Sequence, residues 1–332
     1  MTTERKASHA GSWYQSNPTK LSNQLNNFLT TPPNKAPSSS QPSSSSQPSS
    51  LSSQPSNIPS AIISPHAGYS YSGPTAGCAF HLGLEARLQS SSSPPLTHVF
   101  VLHPSHHVHL PGVGVSPCTK VSTPVGDLEV DRAMMGEAME RMREAGVEVT
   151  NITKEEDEDE HSGEMQYPLI AQLLNAYNSP ALLVPFMVGS TSPSTSRLIG
   201  STLSPYLFSP TSFTVVSSDF CHWGRRFGYT PFSNHPSVSQ MIADLDQEGM
   251  SEIESLSPGG FVDYINRTRN TICGRHPIEC FLYAAEGRYG KGGEGGGDGG
   301  EFRFVRYEKS SEVVDIQDSS VSYAGGVFYS PS

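Results

Sequence analysis

Three short apolar runs, II at 62–63, VFVL at 99–102 and FTVVS at 213–217, each lead directly into a loop carrying histidine, cysteine or aspartate. Elsewhere the apolar spacing is that of helices. Asn17 can cap a helix with Pro18 in its first turn and Leu21, Leu25, Phe28 and Leu29 on one face. Met134, Met135, Ala138, Met139 and Met142 recur at similar spacing across 131–145, and 162–177 reads as a further helix. ALLVPFMV at 181–188 and the late segments 302–307 and 321–329 add strands. Strands alternating with helices specify an α/β fold, in which helices layer on a mixed, mostly buried central sheet. In open sheets of this kind, ligands bind in the crevice beyond the carboxyl ends of the strands. If the three strands are parallel neighbours, their reactive loops converge there.

The 332-residue chain reads as one domain, 1–332, with two low-complexity insertions. Residues 32–60 are almost wholly Ser, Pro and Gln; they cannot bury enough apolar surface to offset their ordering entropy and are expected to be disordered. Residues 290–300, GKGGEGGGDGG, read as a flexible loop. The formal net charge is −11, from 32 acids against 21 bases, and no basic stripe is present, so a nucleic-acid partner is not expected. No apolar stretch approaches the roughly 18–20 residues of a membrane span, and MTTERKASHAGSWY lacks the apolar block of a signal peptide. Five irregularly spaced cysteines make a poor disulfide framework. A reducing compartment follows as the expectation, cytoplasmic or cytoplasmic and nuclear.

The reactive side chains cluster by position. His66 follows the first strand, His106 and His107 follow the second, and Asp219, Cys221 and His222 follow the third. DEDEHSGEMQYP places His161 and Glu164 three apart at a helix start, hence on one face. NTICGRHPIECF places Cys273 and His276 where a helix begins, and a helix start favours a thiolate. Ordinary structural roles are expected for His9, His81, His98, His109 and His235, core positions for the methionines, and inert thiols for Cys78, Cys118 and Cys280. The acidic run 155–160 reads as a solvated loop that becomes interesting only at His161. Were His66, His106 and Cys273 to share one cation, their borderline-to-soft donors would suit iron, copper or zinc and disfavour magnesium or calcium. Three protein ligands would leave coordination positions open, as catalytic sites do. Asp219, His222, His161 and Glu164 would then orient ligands or carry protons. No single loop specifies such a site, and a Cys-dependent hydrolase using Cys273 with His276 or His222 is the competing reading.

Seven strings also match a known pattern: ASHAGSWY at 7–14, PHAGYSYSG at 65–73, PSHHV at 104–108, DEDEH at 157–161, VVSSDFCHWG at 215–224, NTICGRHPI at 270–278 and QDSSVSYAGG at 317–326. Together they span nearly the whole chain and resemble the Memo family, described as mediators of receptor-driven cell motility. The resemblance implies a three-layer α/β/α sandwich similar to class III extradiol non-haem iron dioxygenases. It implies metal ligands at His66, His106 and Cys273, with Asp219 and His222 close by and cysteine in place of the dioxygenases' carboxylate. The implied cofactor is iron or copper, with zinc a third option. The implied function is a redox-active metal protein without classical ring-cleaving activity. The alternative is a non-catalytic scaffold that engages phosphoprotein or other signalling partners in cytoskeletal control. Three departures stand out. His103 replaces an expected glycine and would crowd or extend the site. Gln166 replaces an expected histidine and removes a proton carrier. The Ser/Pro insertion ends shortly before His66 and would lie near the site.

Overall fold

The strands form where the apolar runs are. In chain order they are Glu4–Arg5 (β1), Ile58–Ser64 (β2), His98–Pro104 (β3), Val113–Val115 (β4), Lys120–Val121 (β5), Leu128–Glu129 (β6), Val149–Asn151 (β7), Leu182–Val188 (β8), Ser212–Ser217 (β9), His222–Trp223 (β10), Glu301–Lys309 (β11) and Ser320–Ser330 (β12). This computed structural model describes residues 3–34, 58–231, 237–290 and 299–331. The large sheet has the order β10-β12-β2-β9-β3-β8-β4-β7, with β11 added on β12, while β1, β5 and β6 make a small separate sheet. Its centre, β2-β9-β3-β8, is entirely parallel: Ile62 lies beside Val215, Val101 beside Val215 and Pro185, and Leu102 beside Val216 and Phe186. These strands are covered on both faces and so are buried in near-continuous, mostly apolar runs rather than at alternate residues.

The helices lie on both faces of the sheet. Gly325 of β12 faces Thr75 and Ala79 of the helix Tyr69–Phe80, whereas Phe328 packs on Phe281 of the helix Arg275–Tyr289. Three residues apart on one strand, they point to opposite sides. The helix Pro18–Leu29, capped by the Asn17 side chain, packs on Tyr69–Phe80, where Gly73 and Gly77 admit Phe28. On the other side Pro193–Leu207 lies along Arg275–Tyr289, its Gly200 within 2.3 Å of the Cys280 carbonyl at the point where a Cβ would stand. The result is the expected α/β/α sandwich. The methionine helix runs Arg132–Glu144 and buries Met135, Met139 and Met142. The expected helix at 162–177 is two, His161–Glu164 and Tyr167–Ala176, broken ahead of Pro168.

The insertions are rooted differently from the sequence expectation. Residues 35–57 and 291–298, with His235, lie outside the described residues. Ile58–Ser60, assigned to the disordered insertion, begin β2, with Ile58 and Pro59 paired to Ser330 and Tyr329. Asn34 is held by Val305 and Tyr307 of β11. Asn34 sits level with the carboxyl end of β2, since Tyr307 pairs with Ala324 beyond the Gly326–Ile63 pair, whereas Ile58 joins the sheet at the amino end of β2. Seven residues of strand, roughly 20 Å, separate that end from His66. Ile58, where the described chain resumes, is thus at the far end of β2 from the loop that carries His66.

Candidate metal centre

Because β2, β9 and β3 are parallel neighbours, the loops after Ser64, Ser217 and Pro104 emerge side by side. They deliver His66, Asp219 and His106. Cys273 arrives from the turn that precedes the helix Arg275–Tyr289. Gly274 allows that close approach, since a Cβ there would stand 2.4 Å from the Ser217 carbonyl. One nitrogen each of His66 and His106 and the Cys273 sulfur all lie within 4.8 Å of one another. His66 Nε2 is 3.0 Å from Cys273 Sγ. Around a tetrahedral ion with bonds of about 2.0–2.3 Å, donors stand roughly 3.3–3.7 Å apart. The set thus needs only small adjustments to close on one cation.

The tautomers follow from the hydrogen bonds. Ser217 has one hydroxyl proton and donates it to the Ser162 carbonyl at 2.8 Å, while accepting from Gln166 Nε2 at 2.9 Å. Its contact with His66 Nδ1, at 2.8 Å, must therefore be an N–H donated by the imidazole. His106 Nδ1 donates to Glu160 Oε1 at 2.9 Å. His222 Nδ1 lies 2.9 and 3.0 Å from the carbonyls of Phe220 and Thr271, which can only accept. All three rings thus carry a proton on Nδ1, so that Nε2 is the nitrogen left to face a metal. Metal-binding histidines are prepared in this way, the other ring nitrogen being fixed by a carboxylate or hydroxyl.

Electrostatics agrees. Burial, then the neighbouring imidazoles, pushes His66 well below its ordinary value, so it is neutral and ready to ligate. Burial likewise pushes His161 down to about 3. For Glu160, burial works against ionisation, but bonding to His106 and the surrounding imidazoles outweigh it and hold the carboxyl far below its usual range. Burial also opposes charging of His106, yet its bonds to Cys273 and Glu160 raise it to about 10. A proton on the His106 imidazole or the Cys273 thiol competes with a cation for these donors. Burial pushes the Cys273 thiol up, so loading the site requires that proton to leave.

The other expected residues divide. His222 lines a cleft of about 440 Å³ with His106 and Cys273. Asp219 is buried; its Oδ1 accepts the backbone N–H of His66 and Ala67, so it positions the turn that carries His66. His161 stacks on His106 with centroids 4.6 Å apart and is covered by Trp13 at 4.4 Å. Glu164 is drawn away: its oxygens accept from Arg5, His9 and Tyr14. It anchors the N-terminal segment and does not join the cluster. Cys221 is buried with Trp223, Ile242 and Val313. His276 bonds Thr191 at 3.2 Å, which leaves Cys273 with His66 and His106 rather than the partners a hydrolase reading requires.

The acidic run is not a solvated loop. Thr153 and Glu156 form a capping box that opens the helix Lys154–Asp159, and both Asp157 and Glu160 are buried. Asp157 pairs with the buried Arg5; Glu160 accepts the His106 backbone and ring N–H groups and the Ser162 N–H. Glu160, Ser217, Arg5 and Trp13 are the residues that sequence reading missed. The one local signal was the Thr-x-x-Glu capping box, which marks a helix start within the run. His103 extends nothing. It is buried, bonded to Ser162 and packed on Gly163, whose lack of a Cβ leaves room for the ring. Gln166 ties the Pro65 carbonyl to Ser217 and so supports the His66 turn.

Comparison with known proteins bears directly on this arrangement. Residues 5–327 match the family model described as Memo-like protein. The chain is 38% identical to "Protein memo-1 homolog" of Caenorhabditis elegans over 98% of this chain and 82% of that one. It is 39% identical to "Protein MEMO1" of Xenopus laevis and 37% identical to "Protein MEMO1" of Homo sapiens, each over 97% of this chain and 96% of the relative. Spanning both the sandwich and the loops at its rim, these matches show that the chain belongs to the Memo family.

Proposed function

We propose that this protein binds a single redox-active transition metal, iron or copper, through His66 Nε2, His106 Nε2 and Cys273 Sγ, and acts as a metal-dependent oxidoreductase or metal-handling protein. The observation that carries the reading is the convergence of two imidazoles, each already protonated on Nδ1, with a buried thiol. Neutral imidazole and thiolate suit soft-to-borderline ions, and the affinity order favours copper while supply decides occupancy. A metal held there would exchange single electrons and retain open positions toward the cleft.

The chain's own residues do the rest. Ser217 and Glu160 fix the two rings, and Asp219 holds the His66 backbone. His222, with Nδ1 pinned by two carbonyls, presents a ring whose Nε2 can take a proton from a cleft-bound molecule. A thiolate where dioxygenases carry a carboxylate makes the metal environment more electron-rich, so ring cleavage of catechols is not expected; robust oxygen uptake with catechol and Fe(II) would contradict that. The test of the site is metal content after anaerobic loading and desalting. Wild type should retain about one ion per chain and the His106→Ala, Cys273→Ala double variant almost none. Equal, negligible retention by both would overturn the reading.

A further inference from the structure

A second cavity of about 440 Å³ lies at the opposite end of the sheet, where β2 and β9 begin. Its lining includes Ser60 of β2, Arg87 of the one-turn helix Ala86–Gln89, Phe208, and Arg288 and Tyr289 at the end of the helix Arg275–Tyr289. No carboxylate is among the described residues that line it, in a chain of net charge −11. Arg87 is only 3% exposed, and its Nη2 donates to the carbonyls of Pro94 and Pro210 at 2.6 and 2.7 Å. Among the described residues it pairs with no acid, and its Nε and Nη1 meet no acceptor. Burial alone acts on its guanidinium and pushes it below its ordinary value, whereas for the equally buried Arg5 burial is outweighed by Asp157 and Glu164. The Ser60 hydroxyl, on the same cavity, is buried and has no hydrogen-bond partner. A buried cation without a counter-charge and a buried hydroxyl without a partner are each costly. A water molecule would satisfy the hydroxyl but would not neutralise the charge. Phe208 and Tyr289 meet edge-on at 5.2 Å and form an apolar wall beside them.

We infer that this second cavity is a binding site for a small organic anion, its carboxylate or phosphate head on Arg87 and Ser60 and its apolar body against Phe208 and Tyr289. A guanidinium with Nε and Nη1 open offers paired N–H bonds to such a head, which a neutral isostere cannot replace. Arg288 adds a second positive charge to the same wall. The volume suits a body of about one ring. The cavity shares no lining residue with the cleft of the metal centre and stands a full strand from His66, so its occupancy is independent of the metal reading.

The test is calorimetric titration of the full-length, metal-free protein with benzoate, phenyl phosphate and neutral benzamide. Wild type is compared with Ser60→Ala, Arg87→Met and the His106→Ala, Cys273→Ala double variant, each checked for folding by circular dichroism. One anion should bind at least tenfold more tightly than benzamide, and the tighter of the two assigns the head group. Ser60→Ala should weaken that anion about tenfold while unfolding at no lower temperature than wild type, because its hydroxyl bonds nothing in the free protein. Arg87→Met should abolish the margin over benzamide. Since that change also forfeits two carbonyl bonds, Ser60→Ala carries the test if Arg87→Met does not fold. The double variant should bind the anion as wild type does, which separates this cavity from the metal centre. Undiminished anion binding by Ser60→Ala or by folded Arg87→Met, equal binding of benzamide, loss of binding in the double variant, or no binding of either anion would each overturn the inference.

Discussion

Replacing Glu160 by glutamine tests the preparation of His106 without removing a metal ligand. In the native protein Glu160 Oε1 accepts His106 Nδ1–H at 2.9 Å and the Ser162 N–H at 2.9 Å, while Oε2 accepts the His106 N–H at 2.6 Å. All three partners donate. A glutamine has one acceptor oxygen and one NH2, so in either orientation an N–H faces an N–H. If the amide nitrogen faces the ring, the easiest relief is for His106 to move its proton to Nε2, which closes the nitrogen needed for the metal. Losing one charge-assisted bond costs about 1.5–3 kcal/mol, and outer partners of metal-bound histidines are typically worth about 10–100-fold in affinity. Glu160→Gln should therefore weaken metal binding roughly 10–100-fold, a range set by those same outer partners. The assay is competition against a chelating indicator under anaerobic, reducing conditions, with circular dichroism to check folding. The exposed neighbour Glu155→Gln should bind as wild type. A folded Glu160→Gln protein with undiminished affinity would refute the argument that Glu160 sets the tautomer.

Three further outcomes follow from the packing. Arg5→Met should destabilise the protein by about 3–5 kcal/mol in denaturant titration, because it strands the buried carboxylates of Asp157 and Glu164. Burial opposes ionisation of Glu164, but His9 and Arg5 bring its carboxyl down from 4.5 to about 2. The stability this supplies is present above the unfolded value of 4.5 and is lost as pH falls toward about 2, so Glu164→Gln should be less stable at neutral pH yet lose less across that window. Gly200→Ala would place a Cβ 2.3 Å from the Cys280 carbonyl, and the resulting separation of two helices should cost about 1–3 kcal/mol in thermal or denaturant unfolding.

Much of this was legible in the sequence because it depends on local pattern. Buried parallel strands are mostly apolar along their length, which marked 181–188 and 213–217 in the sequence, and each such strand ends in a loop at the sheet's rim, which located His66, His106 and Asp219. What escaped was set by contacts across the chain. Glu160 and Asp157 sit in an acidic run that would ordinarily be solvated. They are buried because His106 and Arg5, distant in sequence, supply the donors. Glu164 shares a helix with His161, yet its direction is decided by Arg5, His9 and Tyr14. Ile58, where the described chain resumes after the Ser/Pro insertion, is close to His66 in sequence and a full strand away in space, since β2 intervenes.

The most direct measurement is a diffraction structure of protein loaded anaerobically with Fe(II) or Cu(I), with an anomalous map collected at the metal edge. The account predicts one peak within about 2.0–2.3 Å of His66 Nε2, His106 Nε2 and Cys273 Sγ, with Glu160 and Ser217 still on the two Nδ1 atoms. A peak bound elsewhere, or no peak at saturating metal with Cys273 still resting on His66, would contradict it.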